Sequence, residues 1–193
     1  MARRKYEFKP DKEGSGILSK LYITRRQRMT LLRWVLYALV ILALSLVQDV
    51  ILSRIGIRGA TTDLVPAGIL LLTMLLGVEE GAIFAVVAST LFYFSGSAPG
   101  PYAIPFLTVL GTVISIFRYG YLYKNFGSIF ICAAFAVMVY EMLVFVMGSF
   151  LGIVPTSRFV AFCITGGLSV AVLPLLYPVF LSIGKIGGEA WKD

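Results

Sequence analysis

The sequence predicts an all-α integral membrane protein, from its composition and from the grouping of its apolar residues. The 193-residue chain is 59% hydrophobic and 14% charged, with a mean hydropathy of +0.90. Soluble domains are about 45 to 50% apolar and about 25% charged. The apolar residues also stand in long blocks, which is typical of helices that pack in lipid. We therefore expect one domain, a bundle of about six transmembrane helices, some of them short.

The apolar blocks place the six helices in order along the chain. The predicted spans are residues 33–53, 63–77, 82–95, 102–117, 128–151 and 159–183. A spanning helix needs about 20 residues. The second and third blocks are shorter, so they either thin the bilayer locally or form a hairpin that does not cross it fully. In the sixth block, Pro174 and Pro178 stand four residues apart and should kink the helix.

The distribution of lysine and arginine predicts the orientation of the spans. Ten of the 17 basic residues lie between Arg3 and Arg33. If that end is cytoplasmic, 14 basic residues are inside against Arg54, Arg58 and Arg158 outside. The positive-inside rule therefore predicts both termini in the cytoplasm. Aromatic residues that suit an interface fall at the predicted inner boundaries: Trp34, Tyr119, Tyr121, Tyr123 and Trp191.

Two tails flank the transmembrane domain, which is predicted to cover residues 31–185. The basic tail of residues 1–30 is expected to be cytoplasmic and to contact anionic lipid, at about 1 kcal/mol per basic residue near the surface. Its apolar segment starts too late for a cleavable signal peptide. The tail also contains acidic residues and no nucleic-acid-binding module, so we expect no nucleic acid partner. Residues 186–193 form a short cytoplasmic tail.

The residue types needed for catalysis or metal binding are scarce. The chain contains no histidine and only two cysteines, Cys132 and Cys163, which lie in different spans without a CxxC spacing. Histidine-dependent triads and the usual zinc sites are therefore excluded. We expect no catalytic residue, no metal and no cofactor, and we interpret both cysteines as small buried hydrophobic residues.

One carboxylate stands near the middle of the fifth span. A charge at this depth costs at least about 2.5 to 3.5 kcal/mol, so Glu141 should face protein or a water-filled cavity. Ala134 and Gly148 lie seven residues to either side, nearly on the same helical face. Small residues let another backbone approach closely. We therefore expect Glu141 to point into a helix interface and not toward lipid.

A second polar cluster is predicted in the outer half of the first span. Ser45, Gln48 and Asp49 share one face by their spacing. Asp63 opens the second span, where it is interpreted either as a helix cap or as part of this cluster. Together with Glu141, the residues Gln48 and Asp49 are expected to line a groove open to the outside. Such a groove suits a small solute or the transmembrane helix of a partner.

Residues 77–82, "GVEEGA", are predicted to form a tight acidic turn on the cytoplasmic side, flanked by glycines. Glu79 and Glu80 in this turn are solvated or meet a basic partner. Two pairs of small residues are spaced for close helix contact: Ala85 with Ser89, and Gly111 with Ser115.

Several short motifs resemble the MreD family, the rod-shape-determining membrane proteins of bacteria. They are the Asp63-Leu64 pair, the glycine-flanked turn from Gly77 to Gly81, the loop with Ser95, Gly96 and Gly100, the fourth-span Gly111, and the Tyr140-Glu141 pair. The resemblance covers roughly residues 44–152. The chain departs from the family pattern at Thr62, where a proline is usual, and before the Ser-Gly loop, where an acidic residue is usual.

The resemblance implies a function that is not enzymatic. It implies a multi-pass scaffold of the cell-elongation complex in the bacterial cytoplasmic membrane, which maintains rod shape during peptidoglycan side-wall synthesis. The implied partners are MreC, a class B penicillin-binding protein, RodA and MreB, and the polar groove would receive a partner's transmembrane helix.

The resemblance also implies a fold similar to the substrate-binding S-components of energy-coupling-factor vitamin transporters. An S-component is therefore the alternative function. Those subunits typically dock through an Ala-xxx-Ala pattern on the first helix. Here Ala38 is followed four residues later by Leu42, so the docking pattern is absent.

Overall fold

The structure is a computed structural model that describes residues 25–56, 59–121 and 125–186. Most of the basic tail and the chain after residue 186 lie outside the described residues, and so do the predictions made for them. The same holds for individual residues of the orientation argument: Arg58, Tyr123 and Trp191.

Six α-helices and no sheet are present in the described part of the chain, which confirms the predicted helical class. They are α1 (Arg25–Val50), α2 (Leu64–Leu76), α3 (Val78–Phe94), α4 (Ala103–Tyr121), α5 (Phe126–Phe150) and α6 (Phe159–Gly184). Four of them, α1, α4, α5 and α6, are long and apolar enough to cross a membrane. The chain is therefore a multi-pass membrane protein, and full crossing by α2 and α3 stays a prediction.

Two elements differ from their predicted extents. The helix α1 begins at Arg25, before the predicted span of residues 33–53, because it continues from the apolar block into the polar segment. The acidic turn is also shorter than predicted. Gly77 alone separates α2 from α3, with φ of 96°, a conformation that favours glycine. Glu79 and Glu80 already lie in the first turn of α3, where the helix dipole favours negative charge.

The short helix α2 is the centre of the bundle. Eleven of its 13 residues are buried, and it contacts all five other helices. A helix that is apolar on every side belongs in an interior, since it has no face suited to water. At 13 residues, α2 is about 20 Å long. The five other helices therefore surround an element shorter than themselves.

Two contacts fix which helix ends lie together. Arg33 of α1 forms an ion pair of 2.8 Å with Glu80 at the start of α3. Near the other end of α1, Ser97 donates a hydrogen bond of 2.6 Å to the Asp49 carboxylate. The start of α1 and the α2–α3 turn are therefore at one end of the bundle, and the α3–α4 loop is at the opposite end.

Small residues let α3 and α4 pack closely around α2. A Cβ built on Gly111 would lie 3.2 Å from the Cβ of Ala85 and 3.2 Å from the Cγ2 of Thr73. A Cβ on Gly81 would lie 2.6 Å from the backbone oxygen of Thr73. Ser115 donates a hydrogen bond of 3.2 Å to that same oxygen. Close contact at the predicted small pairs of α3 and α4 is thus confirmed.

Candidate functional site

The amino-terminal end of α2 lies against polar side chains from two other helices. The backbone N–H of Val65 donates to the side-chain oxygen of Gln48 in α1, at 2.9 Å. The backbone N–H of Asp63 donates to the hydroxyl of Ser169 in α6, also at 2.9 Å. The first turn of a helix has N–H groups without partners in the helix itself. Here the neighbouring helices satisfy two N–H groups at this end.

Asp63 stands at the capping position of α2, but its side chain makes no capping hydrogen bond. The interpretation of Asp63 as a simple helix cap is therefore wrong. Its carboxyl group instead lies within hydrogen-bond reach of the carboxyl group of Glu141 in α5. Glu141 is only 1% exposed, so it faces a helix interface and not lipid, as predicted from its neighbours.

A carboxyl pair of this kind needs a proton. An ionised carboxylate is an acceptor only, so two carboxyl groups can bond to each other only if one of them is protonated. Two ionised carboxylates in a buried contact would repel each other. The structure therefore brings two carboxyl groups, Asp63 and Glu141, together at the amino-terminal end of α2.

Tyr140 extends this polar cluster, which we define as Gln48, Asp63, Tyr140, Glu141 and Ser169. Its side chain is fully buried and lies within electrostatic range of both carboxyl groups. Two atoms of the cluster have no hydrogen-bond partner among the described residues: the hydroxyl of Tyr140 and the Oε1 atom of Glu141. Buried polar atoms are usually hydrogen-bonded, so these two are the exceptions at this site.

Residues on α6 that sequence reasoning missed complete the packing around Glu141. A Cβ built on Gly166 would lie 3.5 Å from the Cγ of Glu141 and 2.7 Å from the sulfur of Met138. Ser169 accepts from Asp63 and donates to the backbone oxygen of Thr165 at 2.8 Å. Gly166 and Ser169 are small residues inside an apolar span, and that pattern was the available signal.

The other predicted site residues lie elsewhere. Asp49 is exposed and bonds to Ser97, so it does not join Gln48 beside the carboxyl pair. Gly148 does not receive another helix, because a Cβ there would lie 2.8 Å from Val154 in the loop that follows α5. Ala134 is partly buried. The polar residues form an interior cluster and not the expected groove open to the outside, because α2 covers Glu141.

The carboxyl end of α2 is also bound by side chains from another helix. Arg118 of α4 donates to the backbone oxygen of Met74, and Ser115 donates to that of Thr73. The last carbonyl groups of a helix lack partners in the helix, and basic side chains stabilise that end. Polar side chains of the surrounding helices therefore bind both ends of α2.

A lateral groove runs between α1 and α3, and we call it the α1–α3 groove. Its volume is about 630 Å³. The lining side chains are mostly apolar and include Val35, Ala38 and Leu42 of α1, with Leu91 and Phe94 of α3. Ser45 and Ser95 add hydroxyl groups toward the Asp49 end. The groove is therefore suited to an apolar occupant with few polar groups.

A second lateral cavity, of about 520 Å³, lies between α4 and α5. Its lining includes Ile114, Phe117, Ile131 and Phe135, together with Cys132. Cys132 and Cys163, which were predicted to be small buried hydrophobic residues, are free thiols that are partly buried. The described residues contain no group of three or more residues suited to bind a metal ion.

Polar side chains of α1, α4 and α6 thus bind the two ends of α2. Comparison of the chain with protein families, with curated proteins and with solved structures finds no match.

Proposed function

We propose that this protein is a non-enzymatic scaffold of the MreD type in the bacterial cytoplasmic membrane. In this role it binds transmembrane helices of the cell-elongation complex and so supports peptidoglycan side-wall synthesis and rod shape. The proposed partners are MreC, a class B penicillin-binding protein, RodA and MreB. Both termini are proposed to be cytoplasmic, with anionic lipid bound to the basic tail.

The observation that best supports this proposal is the weak coverage of α1. In an apolar stretch of 18 residues of α1, 17% of the residues are buried. The corresponding stretches of the other three long helices are 28 to 39% buried. The uncovered side of α1 forms one wall of the α1–α3 groove. Transmembrane helices associate through van der Waals packing, and small residues such as Ala38 and Ser45 let a partner approach closely.

We propose that the occupant is the single transmembrane helix of a bitopic partner with a cytoplasmic amino terminus. Such a helix carries basic residues just before its span. Glu79 is exposed in the first turn of α3, at the end of the bundle that is predicted to be cytoplasmic. Its carboxylate is therefore available to a basic segment, whereas Glu80 is paired with Arg33.

This proposal moves the docking place away from Glu141, which was the expected contact. Glu141 is buried, and its carboxyl group lies against that of Asp63 at the start of α2. The same burial weakens the transporter alternative, since Gln48 and Asp63 are engaged with parts of the chain itself. Four side chains of the cluster are buried, and only Asp63 is partly exposed, so the cluster offers little polar surface to a solute from outside.

Affinity purification of the tagged full-length protein from its own membranes, in mild detergent and with mass spectrometry, tests the proposal. We expect recovery of MreC and a penicillin-binding protein. Recovery of ATPase subunits with a bound vitamin would instead establish a transporter subunit.

A groove variant tests the docking place. Ala38→Trp should fill the α1–α3 groove and lower partner recovery at least about tenfold, which corresponds to about 1.4 kcal/mol of binding free energy. Leu175→Trp is the matched control, because Leu175 is 71% exposed on α6 and lines neither lateral cavity described above. Equal loss of partner in both variants, or in neither, would rule out this groove as the docking place.

A further inference from the structure

The carboxyl pair of Asp63 and Glu141 is notable for its charge environment. Both groups lie where α2, α5 and α6 meet. The ion pair between Arg33 and Glu80 lies at the opposite end of the bundle. No lysine or arginine of the described residues forms an ion pair with either carboxyl group. Among the described residues, therefore, no basic side chain balances the negative charge of this pair, and a proton is the positive charge that can do so.

We propose that Asp63 and Glu141 form a binding site for a single proton, which locks the amino-terminal end of α2 to α5. With the proton in place, one carboxyl group donates to the other and the pair has one negative charge. Without it, two carboxylates stand in contact inside the protein, where their repulsion is weakly screened. The proton is therefore part of the packing between these helices.

An independent observation on a neighbouring residue supports the site. The hydroxyl of Tyr140 is fully buried, lacks a partner among the described residues and lies near both carboxyl groups. The Oε1 atom of Glu141 is likewise buried and unpartnered. One buried donor and one buried acceptor in this cluster thus lack a hydrogen-bond partner among the described residues, which indicates polar capacity that the packing of the helices leaves unused.

The groups that face the pair from each neighbouring element are mostly unable to titrate. α1 contributes the amide of Gln48, and α6 contributes the hydroxyl of Ser169. Tyr140 of α5 is a phenol, and Tyr102, which precedes α4, lies near Tyr140. Phenols ordinarily ionise near pH 10. Between acid and moderately alkaline pH, the carboxyl pair is the group at this site that changes its charge.

The sign of the pH dependence follows from the shared proton. In the unfolded chain both carboxyl groups ionise near pH 4, so the proton is lost there. Over the pH range in which the pair holds its shared proton, the folded protein binds one proton more than the unfolded chain. Stability then falls as pH rises, because the unfolded state binds fewer protons. The inference does not depend on the proposed scaffold function.

Infrared spectroscopy of the wild-type protein in detergent gives the first test. The other described carboxylates are Asp49, Glu79 and Glu80, which are exposed or ion-paired. We expect the carbonyl band of a protonated carboxylic acid at neutral pH, and we expect Asp63→Asn to remove it. The absence of that band in the wild-type protein would overturn the proposal, and this result requires no variant to fold.

Melting temperature against pH gives the second test. We expect the melting temperature of the wild-type protein to fall by about 3 °C or more between about pH 6 and about pH 9. Glu141→Gln and Asp63→Asn should flatten this slope, because an amide donates to the remaining carboxylate without a titrating proton. Glu79→Gln, on the exposed first turn of α3, should keep the wild-type slope. A wild-type protein without a slope, or variants that keep it, would overturn the proposal.

Discussion

The side-chain oxygen of Gln48 accepts a hydrogen bond from the backbone N–H of Val65 at 2.9 Å. A residue of α1 therefore supplies the side-chain acceptor that a capping residue of α2 would otherwise supply. Both residues are buried, with Gln48 8% exposed and Val65 fully covered. Gln48 lies inside an apolar span because the backbone N–H of Val65 in another helix needs a hydrogen-bond acceptor there.

Gln48→Leu should destabilise the protein by about 1–3 kcal/mol, because the buried N–H of Val65 loses its acceptor. The melting temperature in detergent should fall by several degrees. Asp49→Asn is the matched control on the adjacent residue, since its exposed side chain can still accept from Ser97. Equal melting temperatures for Gln48→Leu and the wild-type protein would refute the capping role.

Gly81→Ala should destabilise the protein, by about 1–3 kcal/mol. The added Cβ would lie 2.6 Å from the backbone oxygen of Thr73, and a backbone atom of the central helix cannot move aside cheaply. Gly127→Ala is the control, since a Cβ there meets nothing within 4 Å and Gly127 is in a helix. That control should be neutral or stabilising. Thermal unfolding of both variants in one detergent separates the two cases, and identical behaviour would contradict the close packing.

Glu80→Ala should destabilise the protein more than Glu79→Ala. Arg33 is 7% exposed and Glu80 is its ion-pair partner, so removing Glu80 leaves a buried guanidinium group without a counter-charge. Glu79 is exposed on the same helical turn. The expected difference is about 1–3 kcal/mol, measured by thermal unfolding. A smaller effect for Glu80→Ala than for Glu79→Ala would argue against the ion pair.

Cysteine labelling in intact cells checks the orientation. In a chain with Cys132→Ala and Cys163→Ala, Ser97→Cys should react with a reagent that cannot cross the membrane. Glu79→Cys should react only after permeabilisation, because the α2–α3 turn and the Ser97 loop lie at opposite ends of the bundle and the basic end faces the cytoplasm. The reverse pattern would invert the proposed topology.

Much of the fold followed from the order of residues alone. Six apolar blocks gave six helices, because each helix satisfies its own backbone hydrogen bonds and needs no distant partner to form. The burial of Glu141 also followed, since a carboxyl group at that depth has no favourable place in lipid. The shortness of the second block was correctly predicted as well.

The partners of these residues came only from the tertiary structure. Neither the contact between Glu141 and Asp63 nor the position of Gln48 over the first turn of α2 could be predicted, because both depend on which helices touch and at what height. The same reason explains why the expectation for Gly148 failed. This glycine lies against Val154 of the following loop and not against a second helix. Periodicity along one helix determines a face, but only packing between helices determines what that face meets.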